Sequence, residues 1–593
     1  MKKKGWLFAL PVVLLAVILA LFLREQEQGD APTLELSASL SELTLCVSDG
    51  SGETEELSCW IDGESGEGYF FLPSYASIET AELLRGGTAE EGLTLAGVES
   101  GDRVAVDDGV FTVLQGSALP AVYIETESGS LAAIQADKDH KESGDIRIVN
   151  ADGSLHYAGL LKHIKGRGNT SWEHDKKPYN IKLQEKADLF GMGAAKSWCL
   201  LANYRDTSYV RNAMVYDYAR AMGMENVTGT QSFDLYVNGE YQGLYLMTEK
   251  VEVGGNRVDI PDLDEENERK NPQKKPEEYP VFSTGTEKGV SLPYTPQEAE
   301  GYLMELDFPG RWEEEVSGFV TEAGQHVVLK NPEYASEAQV AYAKELVQTF
   351  ESRLFSGDPA YLDCIDLNSW VQLYLIEEIF EDVDCGLSSI YFYIRDGKLT
   401  AGPLWDFDLT MGASYAVTNP RTLYAAWSER TERFTSYYLP ALYADATFRA
   451  AVEETFRGGW QQGLSALAAR AQSYVDAVTA SARMDALRWG RDHQATLDSG
   501  AYLANYLTER CDFLTSLWLE GESYHRVRVM GGVQTRYYEY MVRDGECMDS
   551  FPTLYRDGYT LEGWDIEETG EAFDPATPVT EELHLIARWK QNS

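Results

Sequence analysis

The chain has 593 residues, of which 50 are Lys or Arg and 96 are Asp or Glu, so its formal net charge is −46. With 44% hydrophobic residues it can form large cores, and its length predicts about three or four domains. Because so negative a field repels phosphate groups, we expect neither nucleic acid nor an anionic lipid surface as a partner.

The N-terminus has the pattern of a membrane anchor. Lys2, Lys3 and Lys4 precede an uncharged run from Trp6 to Leu23, which as a helix would be about 27 Å long, enough to cross the hydrocarbon core. The lysines should stay inside, so residues 1–28 are predicted to anchor an extracytoplasmic chain. A cleaved signal peptide, which would make the protein secreted, is the alternative, although no small-x-small cleavage site follows the run.

Residues 33–118 are predicted to form a small β-rich module. The stretches "ELTLCVSD", "GYFFLPS" and "RVAVDDGVFTVL" group β-forming residues between Gly, Ser and Asp turns. Cys46 and Cys59 flank an acidic, Gly-rich turn, and they either bridge a hairpin or remain two buried thiols. The seven cysteines of the chain show no CxxC pair and no metal-ligand spacing.

Residues 119–522 alternate strands and helices, which predicts an α+β domain. Asp206 is the expected N-cap of a helix ending near Gly223, and Asn238-Gly239 is a strong hairpin signal. We expect a loop over 264–280, a strand in "GYLMELDF", a helix in "SWVQLYLIEEIFEDVD" and a strand in "LTAGPLWDFDL". Apolar residues at helical spacing fill 422–519. Such an order suits two lobes with a cleft between them.

A basic segment, Ile164–Leu183, stands out in this acidic chain. It contains Lys165, Arg167, His174, Lys176, Lys177 and Lys182. Gly166 and Gly168 would let a ligand approach the backbone closely. One interpretation is a site for a phosphate-bearing ligand, and the other is a basic surface hairpin that pairs with acidic faces.

An acidic pair, Asp406 and Asp408, lies in "GPLWDFDLTMG", and Asp384 precedes Asp406 by 22 residues. Carboxylates are the ligands that Mg²⁺ prefers, usually one or two together with phosphate oxygens. If Trp405 and Phe407 pointed into the core of a strand, both carboxylates would face the same side. The alternatives are a carboxylate pair for glycoside hydrolysis and an exposed edge strand. Motifs of serine hydrolases, zinc proteases and P-loop enzymes are absent from the sequence.

Several of these stretches together resemble the CotH (spore coat protein H) kinase family. In family order they are "IKGRGNTSW", "KKPYNIKL", "GMGAAKSWCLLANYRDTSYVRNAMVYDYARAMGM", "DLYVNGEYQGLYLMTEKVEV", "GYLMELD", "EDVDCGLSSIYFY" and "GPLWDFDLTMG". The resemblance implies an atypical bilobal protein-kinase-like domain over 119–522. It also implies binding of ATP with Mg²⁺ or Mn²⁺ and phosphorylation of Ser or Thr in proteins.

The resemblance also implies roles for single residues. Lys182 would contact the nucleotide phosphates, Asp384 would accept the proton of the substrate hydroxyl, and Asp406 would hold the metal with Asp408 as a second ligand. Arg167 would contact phosphate. Ser389 departs from the kinase pattern, since it stands where an ordinary kinase catalytic loop has a metal-binding Asn.

Residues 248–251 resemble the hinge beside adenine, which makes Glu249 a cofactor-binding candidate. Glu249 and Glu305 are also candidates for ion pairs that only support the structure.

The tail, 524–590, resembles the internalin-B-type repeat of bacterial surface proteins through "GYTLEGW" and "ARW". The whole chain is therefore expected to be a membrane-anchored extracytoplasmic kinase, flanked by β modules, that acts on surface or coat proteins. The alternative is a non-catalytic surface or coat scaffold with a kinase-like fold.

Overall fold

The computed structural model describes residues 38–90, 93–106, 109–295, 299–414, 418–427, 438–531 and 537–592. The run from Trp6 to Leu23, with the predicted anchor, lies outside these residues. Within them, no helix combines the length and the apolar character that crossing a membrane requires.

The first region has the predicted β-rich character. Its elements are α1 (Ala38–Ser41), β1 (Leu43–Ser48), β2 (Thr54–Ser58), β3 (Trp60–Ile61), β4 (Gly68–Leu72), β5 (Glu82–Arg85), β6 (Thr88–Ala89), β7 (Arg103–Val106) and β8 (Gly109–Gln115). They form two four-stranded sheets, in the orders β2-β1-β5-β6 and β3-β4-β8-β7. Phe70 and Val113 share one core with Tyr123 and Tyr241 of the next region. Cys46 and Cys59 form no disulfide.

A closed barrel follows. Its elements are β9 (Ala121–Thr126), α2 (Ala132–Ala136), β10 (Glu142–Val149), β11 (Leu155–Gly166), β12 (Tyr179–Asp188), β13 (Ala194–Leu201), α3 (Arg211–Ala221), β14 (Thr230–Val237) and β15 (Glu240–Glu249). The strand order is β10-β11-β12-β13-β15-β14-β9, closed by parallel pairing of β14 with β9. Alternate residues such as Ile164, Ile181 and Trp198 fill the interior, so their neighbours project outward.

The hairpin prediction is confirmed, and the start of the helix is corrected. Asn238 and Gly239 have φ of 51° and 75° and join β14 to β15. Helix α3 begins at Arg211, five residues after the predicted cap, with Val210 as its N-cap. Asp206 instead holds the turn before the helix, where its carboxylate accepts hydrogen bonds from the Ser208 and Arg211 amides at 2.9 and 3.0 Å.

The second sheet belongs to a mixed region. Its elements are α4 (Leu263–Lys270), β16 (Val281–Ser283), β17 (Glu287–Val290), β18 (Leu303–Asp307), α5 (Pro309–Glu314), β19 (Gly318–Val320), β20 (His326–Asn331), α6 (Glu337–Ser356), α7 (Leu367–Phe380), β21 (Ile390–Arg395) and β22 (Lys398–Ala401). The order is β16-β17-β19-β20-β18-β21-β22. Helix α4 contradicts the loop predicted for 264–280: Asp262 caps it, acidic residues fill its first turn and basic residues its last.

The last two regions agree with the sequence patterns. The helices are α8 (Tyr424–Trp427), α9 (Tyr438–Ala444), α10 (Ala446–Thr455), α11 (Gln461–Arg488) and α12 (His493–Trp518). The tail consists of β23 (Tyr524–Met530), β24 (Tyr537–Arg543), β25 (Tyr559–Ile566), β26 (Ala572–Phe573) and β27 (Leu583–Gln591), ordered β24-β23-β27-β25-β26 in one sheet. The described chain is thus a mixed α+β structure.

The acidic stretch "GPLWDFD" is not the strand that we expected. Strand β22 ends at Ala401, and Pro403 has no N–H to donate to a sheet. Asp406 has a φ of 72°, in the left-handed region rather than the β region. Phe407 is fully buried, but Trp405 is partly exposed, so only one of the two aromatic side chains is in the core.

Candidate active site

A cavity of about 800 Å³ lies where the outer face of the barrel meets β18, the turn after α7 and the segment 405–409. Both halves of the predicted site contribute to its wall. The basic segment supplies Arg167 and Asn180, and the acidic stretches supply Asp384, Asp406 and Asp408. Residues more than 200 positions apart in sequence therefore face one space.

Helix α3 positions the acidic segment. The Asp406 amide donates a hydrogen bond to the Tyr216 hydroxyl at 3.2 Å, and the Phe407 amide donates one to the Asn212 side-chain oxygen at 2.8 Å. The Phe407 ring packs edge-on against Tyr216. These contacts hold Asp406 in its left-handed conformation, so that Asp406 and Asp408 line the cavity although they do not lie on a strand.

The three carboxylates of the cavity make no direct contact with a cationic side chain in the part of the chain that the structure describes. Among the described residues, the side chains of Asp384, Asp406 and Asp408 form no hydrogen bond and no ion pair within 4 Å. Burial, reinforced by the charge of Asp406, raises the pKa of Asp384 to about 7. Burial also raises the pKa of Asp406, against the pull of Arg167, and holds that of Asp408 well above its usual range.

This donor set fits a hard divalent cation that also binds a phosphate ligand. No three His, Cys, Asp or Glu side chains in the described ranges come close enough to form a metal site by themselves. Mg²⁺ needs only one or two carboxylates when phosphate and water oxygens complete its shell. Asp406 and Asp408, partly exposed to the cavity and without direct partners, meet that requirement.

The turn after α7 distinguishes Asp384 from its neighbour Asp382. Asp382 is 1% exposed, and its carboxylate accepts a hydrogen bond from the Asp384 amide at 3.3 Å. Its carboxylate is therefore used inside the fold, whereas Asp384 faces the cavity. Ser389 lines the cavity as well, with a φ of 66°.

Cationic side chains line the same cavity. The Arg167 guanidinium lies over the Trp405 ring at 5.4 Å and opposes the rise of the Asp406 pKa. Arg205 acts in the same way on Asp384. Lys165 and Lys250 also line the cavity. The cavity therefore combines carboxylates and cations in one lining, as a metal–phosphate ligand requires.

Lys182 lies next to the cavity but does not line it. It is paired with His163 on the neighbouring strand β11 and with Ser197 on the neighbouring strand β13. Asn180, which lines the cavity, is two residues earlier on the same face of β12. Burial and the nearby charges of Lys162 and Lys250 lower the pKa of Lys182. Lys182 therefore lies at the rim of the cavity, on the same outer face of the barrel.

Glu249 is placed outside the large cavity. Its carboxylate forms an ion pair with Arg257 and accepts the Gly229 amide at 2.6 Å. It lines a separate cavity of about 360 Å³, together with Asn226. The ion pair that the sequence allowed for Glu249 is thus present, and its predicted contact with a cofactor stays a prediction.

Sequence reasoning missed a second group of charged residues at the cavity. Asp307, Arg311 and Lys330 line it, as does Glu305, which was considered only for an ion pair. Glu305 lies 3.6 Å from Lys330, and burial next to Glu305 raises the pKa of Asp307 to about 7. The available signal was the pair of acids, two residues apart, at the end of the apolar strand "GYLMELD".

The comparison with protein families agrees with this geometry. The family model described as CotH kinase protein matches residues 164–514, which include Arg167 and the three carboxylates of the cavity. The chain belongs to the CotH kinase protein family. No curated protein matches the chain. The CotH match begins inside β11 and ends inside α12, so the first β region and the C-terminal sheet lie outside it, and the internalin-B-type resemblance of the tail stays a prediction.

Proposed function

We propose that this CotH-family protein is an atypical protein Ser/Thr kinase that transfers the ATP γ-phosphate in a metal-dependent reaction. One observation carries the proposal: Asp384, Asp406 and Asp408 form no direct ion pair, and they line one cavity together with Arg167. Unpaired buried carboxylates destabilise a fold unless a ligand neutralises them. A nucleotide-bound cation is such a ligand.

The residues then take distinct roles. Asp406 and Asp408 would hold Mg²⁺ or Mn²⁺, which when bound neutralises charge on the phosphate oxygens. Arg167 binds phosphate from the same lining. Asp384 takes the proton of the acceptor hydroxyl while that oxygen bonds to the γ-phosphorus and the bond to the bridging oxygen breaks, releasing ADP. A base with a pKa of about 7 suits this step near neutral pH.

The remaining parts of the nucleotide would extend along the barrel. We propose that the base lies at the end formed by residues 248–251, since Lys250 and Val251 line the large cavity and also the smaller one beside it. Lys182, at the rim, is within the same face and would reach the outer phosphates through its long side chain. Glu249 supports this end through its ion pair with Arg257.

Cell-surface placement is also a proposal. The lysines and apolar run of residues 2–23 support a single-pass anchor with the bulk of the chain outside, and the tail supports a surface-protein module. Acceptor hydroxyls would then belong to surface or coat proteins. A scaffold without catalysis is the competing function, because the β regions on both sides of the match are suited to binding.

The test measures phosphate incorporation by mass spectrometry when the purified chain is incubated with ATP and Mg²⁺ or Mn²⁺. Asp406→Asn is the sharpest variant, since Asn tolerates a left-handed φ and keeps the side-chain shape. We expect it to lower the transfer rate about 10³-fold. Asp363→Asn, an exposed carboxylate of the same region, serves as the matched control. Equal transfer by Asp406→Asn and wild type would refute the mechanism, and nucleotide binding without transfer would favour the scaffold.

A further inference from the structure

The outer face of the barrel carries a group of lysines, of which Lys141 and Lys162 have no part in the proposed reaction. We call it the lysine face; its members are Lys141, Lys162, Lys182 and Lys250, grouped around His163. It is continuous with the cavity. Directly paired residues share a face of a sheet, and the row of Lys165, Asn180 and Cys199 lines the cavity. The next row along the same strands consists of His163, Lys182 and Ser197.

These lysines are close to one another and lack counter-ions. Among the described residues, none of the four has an ion-pair partner within 4 Å, whereas Lys165 in the adjoining row lies 3.0 Å from Asp139. Lys141, Lys162 and Lys250 are exposed. Burial and the charges of Lys141, Lys182, Lys165 and Lys162 lower the pKa of His163 to about 4, so the imidazole is neutral at physiological pH and adds no charge.

Such crowding is notable in a chain with a net charge of −46. Like charges without partners repel each other, and a protein with many carboxylates could neutralise them internally. Glu252 opposes the lowering of the Lys182 pKa, but among the described residues no carboxylate forms an ion pair with these four lysines, so the face next to the cavity keeps its positive charge. Charge complementarity between surfaces mainly selects partners and speeds their association.

We propose that the lysine face binds an acidic segment of the acceptor protein and thereby selects hydroxyl groups that are flanked by Glu or Asp. This inference rests on the proposed function, since it takes the cavity as the place of transfer. Its continuity with the cavity lets one extended acceptor segment contact the lysines while its hydroxyl reaches Asp384.

The experiment measures binding separately from transfer. Two fluorescent serine peptides, identical except that glutamates in one are glutamines in the other, are titrated with the full chain by anisotropy at low and high salt. The test variant is the double change Lys141→Gln and Lys162→Gln, because neither residue lines the cavity. The matched control is Lys274→Gln with Lys275→Gln, two exposed lysines in the 264–280 segment that remove the same total charge.

We expect the wild type to prefer the glutamate peptide, with a preference that falls as salt rises. The Lys141/Lys162 variant should bind that peptide about fivefold more weakly, as expected for the loss of two exposed ion pairs, and the control should bind like wild type. In the transfer assay, the same variant should raise KM for the glutamate peptide and leave kcat and the KM for ATP unchanged.

Two results would overturn the inference: equal binding of both peptides, or equal weakening by the test and control variants. The binding assay does not require catalysis. Selective binding without phosphate transfer would therefore support the lysine face and count against the kinase function, whereas transfer that does not depend on flanking glutamates would do the opposite.

Discussion

Two groups of carboxylates lie at or near the turn after α7, and they differ in whether the protein supplies partners for them. In the Arg510 cluster, Glu378 and Glu381 surround a fully buried arginine, with Glu378 at 2.7 Å from its guanidinium. Glu378 also accepts the Tyr424 and Ala426 amides at 2.7 and 3.0 Å. In the cavity cluster, Asp384, Asp406 and Asp408 have no such partners.

The difference separates acids whose charge the protein compensates from acids that we propose bind a ligand. A buried carboxylate with an arginine and backbone donors is compensated, and removing its partner is costly. A buried carboxylate without partners raises its own pKa and favours any cation that can enter. Position on the chain does not distinguish the two groups, since Glu381 and Asp384 are only three residues apart. The groups differ in the side chains and backbone donors around them.

The largest effect is expected in the Arg510 cluster. Arg510→Met should lower the free energy of unfolding by about 3–5 kcal/mol, because it leaves Glu378 and Glu381 buried without their counter-ion. Denaturant unfolding followed by circular dichroism measures this. Arg470→Met, on the exposed face of α11, is the control and should change little. If both variants unfold alike, the Arg510 cluster does not stabilise the fold as the contacts suggest.

The cavity cluster should respond to ligand instead. Mg²⁺–ATP at a free concentration of 100 times its Kd should stabilise the wild type by about 2.7 kcal/mol. Asp406→Asn should lose most of this gain, yet without ligand it should be at least as stable as wild type, because it removes an uncompensated charge. Thermal unfolding with and without Mg²⁺–ATP checks both statements, and Arg470→Met should keep the full gain. A variant that is stabilised as much as wild type would contradict the metal role of Asp406.

Burial raises the pKa of Glu381 and of Asp384 to about 7, so an acid of each cluster makes stability depend on pH, and a substitution of Asp384 isolates the part that belongs to the cavity. The pKa of Asp384 is about 7 in the folded chain and near 3.8 when unfolded, so the folded state holds the proton more tightly. The associated stability is fully present below pH 3.8 and is lost as pH rises through 7. Without ligand, the free energy of unfolding of the wild type should therefore fall by at least about 1 kcal/mol relative to that of Asp384→Asn between pH 5 and 8.

Urea unfolding at several pH values measures this difference. Asp363→Asn, which changes an exposed carboxylate, is the control. Its free energy of unfolding should follow that of the wild type across this pH range. If the gap between wild type and Asp384→Asn stays constant, the pKa of Asp384 is not raised by the cavity.

The sequence predicted those parts of the fold that depend on local chemistry. Asn238-Gly239 identified its hairpin because both residues take a positive φ easily, and the helical spacing identified α11 and α12. The closure of the barrel could not be predicted from the sequence, because it depends on parallel pairing between Leu235 and Val122, which are far apart in the chain. Helix α4 was missed because its polar composition resembles a loop, although Asp262 provides a cap.

In the site, too, the residues that depend on local sequence were predicted and those that depend on long-range pairing were not. Asp384, Asp406, Asp408 and Arg167 were predicted and meet in one cavity, because each lies in a compact stretch typical of the family. Asp307 was missed, since its role depends on the pairing of β18 with β21, which brings it beside the cavity. The direction of the Glu249 side chain depends on Arg257, whose position the sequence does not give.

Glu249 provides the smallest and most specific test of the comparison. It is an acid near the end of the cavity formed by residues 248–251, and it has a protein partner, Arg257. Glu249→Gln should lower the free energy of unfolding by about 1 kcal/mol, since it weakens a charge-assisted bond to Arg257 while the amide can still accept the Gly229 N–H. Equilibrium binding of Mg²⁺–ATP should stay within about twofold of wild type. A loss of nucleotide affinity without a loss of stability would instead place Glu249 with the acids of the cavity cluster, and pairing with an arginine would then no longer separate structural acids from functional ones.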